Sequence, residues 1–271
     1  YLRALNSKAV RCTKFGGLAT QIFSSLKLTN RTNPKGRKPA LTNIEAVAVT
    51  LFARTQNIAT KRSLFQIVEP SCSYNTFVCS INRTIGYLAR VVVALLSCAG
   101  KNAHLVKLTD ATDIPVCMVK NAKHHRTMRG LAAWSKTGKG WFFGLKLHLS
   151  ADVKGAVLAL KLTPGNSDDR AVFRQMNEKL RGIFIADAGY ISEKLAQEFA
   201  IEGERLLITS MRANMRKVAT RAHIALLNLR MRVEVHFRTL KLCYGLVTSF
   251  PRSVDGYLAH YIAAVCAYLI A

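Results

Sequence analysis

Residues 183–190 read IFIADAGY, an apolar run that stops on a carboxylate, Asp187, followed by Ala188 and Gly189. A short, continuously apolar run bounded by turn formers predicts a central strand covered on both faces. The acid at its tip stands out because acids are scarce. Forty Lys and Arg against fifteen Asp and Glu give the 271-residue chain a net charge of +25. Such a surplus points to a polyanionic partner held through phosphate contacts. Nucleic acid ranks above an anionic membrane face, because no basic amphipathic helix stands out as an anchor.

Working outward, HLVKLTD (104–110) predicts a first strand ending on Asp110. In WFFGLKLHL (141–149), Trp141, Phe143, Leu145, Leu147 and Leu149 take every second position, leaving Gly144, Lys146 and His148 on the other face. DVKG (152–155) turns the chain into AVLALKLT (156–163), which completes a hairpin. Asp168 or Asp169 caps a helix carrying Val172, Met176 and Leu180. GIFIAD is then strand four, a further helix starts after Ser192, RLLITS (205–210) is strand five, and one long helix spans roughly 217–242. The order βββαβαβα describes an α/β mixed sheet with helices packed on it, as in the ribonuclease H-like fold.

In that fold strand four runs parallel to strand one, with neighbouring strands about 4.8 Å apart. Asp110 and Asp187 would then meet at one sheet edge, where two carboxylates repel unless a cation lies between them. A divalent metal is the simplest relief. Asp113 is a rival for the role of Asp110. On the long helix, Ala222, Leu226, Leu229, Val233, Phe237 and Leu240 mark an apolar stripe, and Arg230, Glu234 and Lys241 fall within about 40° of one another. Glu234 would face the metal while Arg230 and Lys241 face an anion beside it. The alternative is a surface ion pair between Arg230 and Glu234.

The first hundred residues hold fourteen basic and two acidic residues, the remainder twenty-six and thirteen. TNIE (42–45) is a capping-box pattern opening a helix; Lys61–Val68 and residues 73–85 predict two more. The set is read either as a helix-turn-helix bundle or as a plain helical domain. Lys35, Arg37 and Lys38, in NPKGRKP (33–39), are expected in a DNA-touching arm or a linker. The expected domains are 1–100, helical and DNA-binding, and 101–271, ribonuclease H-like and catalytic. Residues 114–151 and 205–233 each carry seven cations and no acid, which suits a channel for DNA backbone or a solvated face. His148, His124 and His125 lack a second ligand at metal spacing and are read as packing or loop residues.

Seven scattered cysteines without a CxxC pair read as core fillers in a reducing cytoplasm. RVVVALLSCAG (90–100) and YIAAVCAYLIA (261–271) are each shorter than the roughly 20 residues that a membrane span needs. No signal peptide is recognised, and the start at Tyr1 suggests a fragment or trimmed chain.

Taken in order, DATDIPVC, GWFFGLKLHL, LKLTPGNSDDR, ADAGYIS and the spacing RxxxExxxxxxK at Arg230, Glu234 and Lys241 resemble the bacterial insertion-sequence transposases with an acidic DDE triad, most closely the insertion-sequence nine-eighty-two family. The resemblance implies Asp110, Asp187 and Glu234 as the catalytic, metal-binding triad, with Mg²⁺ or Mn²⁺, two ions in all. It implies double-stranded DNA, both element ends and target, as partner, and cleavage followed by joining of a 3′-hydroxyl. A homo-oligomer on DNA, near the nucleoid and away from membranes, is expected with it. Leu227 stands where related enzymes often have Tyr, and Ala188 where Lys is common. A nuclease on the same fold, and a decayed or co-opted DNA binder, are the other readings.

Overall fold

The computed structural model describes residues 15–28, 39–201, 204–210, 220–247 and 251–271. Lys35, Arg37 and Lys38 lie outside the described residues, as do 211–219 of the second basic run. In chain order the helices are α1 (residues 15–25), α2 (Asn43–Thr55), α3 (Lys61–Val68), α4 (Tyr74–Asn82), α5 (Ile85–Lys101), α6 (Asp169–Met176), α7 (Glu193–Ile201), α8 (Arg221–Asn228), α9 (Met231–Leu242) and α10 (Val254–Ile270). The strands are β1 (Val106–Pro115), β2 (Ala133–Thr137), β3 (Gly140–Asp152), β4 (Val157–Pro164), β5 (Gly182–Ala186) and β6 (Arg205–Thr209). The chain forms two compact units, residues 1–95 with 239–271, and residues 96–238.

In the helical unit the TNIE box forms as read. The Thr42 side chain accepts from Glu45 N, and a Glu45 carboxylate oxygen accepts from Thr42 N at 2.8 Å, which occupies two of the helix's free donors. Thr60 and Ser73 cap α3 and α4 with one bond each, their side chains accepting from Ser63 N and Thr76 N. The helix expected over 73–85 is α4, which stops earlier, at Asn82: Thr84, buried, turns its hydroxyl back onto Ile81 O at 2.7 Å before α5 starts. α10 packs with α2 because small side chains let the backbones approach: Ala263, Cys266 and Ala267 share one buried cluster with Val47, Ala48, Leu51, Leu88 and Val91. The C-terminal stretch therefore groups with the N-terminal helices, whereas the sequence reading put everything after residue 100 in one catalytic domain. The run Tyr74–Lys101 is long and apolar enough, by length and composition alone, to cross a membrane. In this fold Leu88 and Val91 on it are core residues of the helical unit. Of the described cysteines only Cys117 and Cys266 are buried; Cys79, Cys98 and Cys243 are exposed, which corrects the view of them all as core fillers.

The sheet unit holds a mixed sheet with strands ordered β2-β3-β1-β5-β6, and β4 paired to β3. β1–β5 and β5–β6 are parallel, and the β3 pairings are antiparallel. Three features differ from the sequence reading. β1 runs on to Pro115, so Asp110 is inside it rather than at its end. A strand, β2, arises within the run taken as a basic loop, so that the core elements from β1 to α9 run ββββαβαβαα. The long C-terminal helix is broken into α8 and α9 by turn residues Leu229 and Arg230, and Ala222 at its start is exposed rather than on a buried stripe. Leu180 likewise falls beyond α6.

On one face of the sheet Phe173 of α6 and Phe199 of α7 pack edge-on or tilted around Phe184 of β5, in a cluster with Ala186, Tyr190 and Leu195. Lys107 stands over Phe184 on that same face, so by strand alternation Thr109, Ala111 and Asp113 share it. Leu108 and Asp110 point to the opposite face.

Candidate active site

The register of β1 against β5 explains where the first two acids lie. Val106, Lys107 and Leu108 pair with Ile183, Phe184 and Ile185, so two steps further along Asp110 comes level with Asp187. β5 ends at Ala186, and β1 continues without that neighbour, paired only to β3. Asp110 thus sits where the sheet opens, although its own strand does not stop there. Asp187 follows β5 directly, at the N-cap of a short 3₁₀ turn, and its side chain makes no capping bond. Glu234 enters from the first turn of α9.

The three carboxylates converge on one guanidinium. Arg230 Nη1 lies 3.7 Å from Asp110 Oδ2 and 3.8 Å from Asp187 Oδ1, and its Nη2 lies 3.6 Å from Glu234 Oε1. All three exceed hydrogen-bond length, so Arg230 balances charge without locking any one acid. The side chains of Asp110 and Arg230 are about one-fifth exposed, those of Asp187 and Glu234 nearly half. Burial, reinforced by Asp187 and Glu234, pushes Asp110 up to about 6, against the opposing pull of the Ala111 N–H and Arg230. One cation facing three carboxylates leaves an excess of negative charge, which a hard divalent ion would relieve.

Other acids are accounted for elsewhere. Asp113 is level with Lys146 on the far face of β1, and Lys146 Nζ pairs with Asp169 Oδ1 at 2.8 Å. Asp168 caps α6, accepting from Arg170 N. His148 is buried with Nε2 2.9 Å from Thr163 Oγ1, and burial pushes it down to about 4, in keeping with a packing role. Lys241 falls in the last turn of α9, within the other compact unit. Sequence reasoning placed Arg230 beside an anion and missed it as the shared counter-ion of the acids. It also missed Tyr190, whose buried hydroxyl has no hydrogen-bond partner among the described residues. Burial, then Asp110, Asp169 and Asp187, push Tyr190 upward.

The family model of the transposase DDE domain matches residues 100–253, more than half of the chain. The chain belongs to this family. It is therefore a DDE transposase, an enzyme that cuts and transfers DNA strands, and the family implies dependence on a divalent metal. Among solved structures, a piggyBac transposase synaptic complex with hairpin DNA is similar at a TM-score of 0.52 and 10% identity, over 93% of this transposase and 70% of that chain. At that identity the likeness concerns the fold. A Mos1 strand transfer complex aligns at a TM-score of 0.25 and 12% identity over 83% of each chain, too loosely to bear on it.

Proposed function

We propose that this transposase cuts the ends of an insertion element and joins the freed 3′-hydroxyl to target DNA at a site built from Asp110, Asp187 and Glu234. The observation that carries the reading is their convergence on Arg230 from three separate elements, β1, the end of β5 and α9. Three carboxylates form an all-oxygen donor set, which suits Mg²⁺ or Mn²⁺ in chemistry. Among the described residues no three His, Cys, Asp or Glu are grouped closely enough to hold a metal as they stand, so Arg230 must give ground when one enters. Two bound ions would activate the attacking water or hydroxyl and stabilise the leaving oxygen.

The protein's own contribution is placement. Asp110 is fixed by the β1–β3 ladder and by the bond that Ala111 N donates to its Oδ1 at 2.8 Å. Asp187 and Glu234, more exposed, face the opening through which DNA would approach. Arg230, once released from the acids, is free to meet a phosphate beside the reacting one, and Lys241, in the helical unit, is a separate contact for DNA phosphate. The finer reading makes the sheet unit a ribonuclease H-like core and the chain a member of the insertion-sequence nine-eighty-two group. Residues 1–100, with Lys35, Arg37 and Lys38, would recognise element ends, and a homo-oligomer would act on double-stranded DNA in the cytoplasm.

A strand-cleavage and strand-transfer assay on paired element ends tests this. Mg²⁺ and Mn²⁺ should support cleavage and joining, whereas Ca²⁺, larger and with more ligands, should allow DNA binding but little turnover. Cleavage without joining would make the protein a nuclease, and unimpaired turnover in chelator would remove the metal from the account.

A further inference from the structure

The two tryptophans of the chain, Trp134 and Trp141, both lie in the β2–β3 hairpin. Cross-strand register pairs Trp134 with Phe143 and Lys136 with Trp141, so these four residues share one face of the hairpin. The opposite face is level with Phe142, which is 5% exposed, and is the one that packs inward. A solvated sheet face is ordinarily polar, yet here Trp134 is 40% and Trp141 59% exposed. Trp134 stacks at a tilt on Phe143, with centroids 5.6 Å apart, and Lys136 Nζ lies 6.0 Å from the Trp141 ring centroid. Lys139 in the connecting turn is exposed, as are Lys120, Lys123, Arg126 and Arg129 just upstream, and residues 114–151 contain no acid. Trp141 heads the alternating row of β3, and the sheet's body ends before it and leaves it in solvent.

Cations beside open aromatic faces are what a nucleic-acid strand with unstacked bases requires: the cations hold the backbone, and the rings replace lost base stacking. An intact duplex offers no free base face and would use only the cations. We propose that the β2–β3 hairpin is a docking surface for unpaired bases of DNA, with Trp141 as the principal stacking residue, Trp134 as the second, and Lys136 and Lys139 on the adjoining phosphates. This rests on DNA being the transposase's substrate and adds which structural state of DNA the hairpin selects.

Because the chain has no tryptophan elsewhere, tryptophan emission, excited at wavelengths that tyrosine does not absorb, reports on this hairpin alone. The full chain would be titrated with a forked duplex bearing single-stranded dT arms and with a blunt duplex of the same paired sequence, following tryptophan emission and, separately, anisotropy of the labelled DNA. The forked DNA should quench the emission by roughly half and the blunt duplex far less, as stacking predicts. Trp141→Ala should weaken forked binding about 10-fold and blunt binding less than about 2-fold, with Trp141→Phe intermediate. Trp141 is exposed, so circular dichroism of the variant should match the wild type. Salt-sensitive binding of both DNAs with unchanged emission, or equal loss on both with Trp141→Ala, overturns the hairpin's role and leaves the DNA reading standing. Failure of the wild type to bind either DNA overturns the DNA reading itself.

Discussion

Asp187→Asn and Glu234→Gln should each reduce DNA cleavage by at least about 10³-fold while leaving the fold and DNA binding in place. Each change keeps the side chain's shape and removes one negative charge from the site proposed to hold a divalent cation. Such a cation supplies several kcal/mol of transition-state stabilisation, and about 4 kcal/mol corresponds to that loss in rate. Both side chains are nearly half exposed and pair only with Arg230 among the described ion pairs, so neither is part of the packing. DNA affinity should hold or rise, since a carboxylate facing phosphates is repulsive when no metal screens it. Single-turnover cleavage and gel-shift binding on the same preparations check both halves; a cleavage loss below about 10-fold for Asp187→Asn would contradict a metal-ligand role.

The second large effect concerns Gly144, where β3 crosses the end of β1. A Cβ placed there would lie 2.1 Å from Ile114 O and 2.9 Å from the Pro115 Cα, both backbone atoms of the neighbouring strand. No side-chain rotation relieves such a contact, so Gly144→Ala must push β3 away from β1. The expected cost is about 3 kcal/mol or more, equivalent to a fall in melting temperature of about 10 °C for a domain of this size. β1 also carries Asp110, so activity should fall with stability. Gly138→Ala is the control, because a Cβ there meets nothing within 4 Å, and its effect should be small. Thermal unfolding of both variants, followed by circular dichroism, measures the contrast; equal melting temperatures would show that the strands have room to part.

How far the sequence disclosed the molecule depends on the range of the forces involved. The apolar run before Asp187 reveals a covered strand, because burial on both faces demands it locally, and that strand lies parallel to β1 as read. The extension of β1 past Asp110 was not read, although Val106, Leu108, Thr112 and Ile114 keep the two-residue alternation through it. What marks Asp110 is the loss of β5 as a neighbour, a long-range feature that no local pattern carries. The break at Leu229 and Arg230 was hidden because Leu226, Leu229 and Val233 keep helical spacing across it. β2 is five residues long with intermediate or exposed side chains throughout, too short and too wet for an alternation signal. The docking of α10 beside α2 depends on complementary small side chains distant in sequence.

Arg230 shows the same limit at the level of the site. Its spacing to Glu234 announced an ion pair, but only the fold brings Asp110 and Asp187 to the same guanidinium. The exposed tryptophans were masked because the alternation runs through all of β3, while the burial of the row from Leu145 to Leu149 stops short of Trp141.

The central claim is that the acids gathered at Arg230 are the catalytic ones, and Asp110 against Asp113 tests it most directly. The two differ by three positions on one strand and point to opposite faces of the sheet, Asp110 toward Arg230 and Asp113 level with Lys146. Strand cleavage in Mg²⁺ would be measured side by side for Asp110→Asn and Asp113→Asn, with folding verified for each. The account predicts that Asp110→Asn loses at least about 10³-fold while Asp113→Asn stays within about 10-fold of the wild type. An active Asp110→Asn protein beside an inactive Asp113→Asn protein would contradict it and move the site to the other face of the sheet.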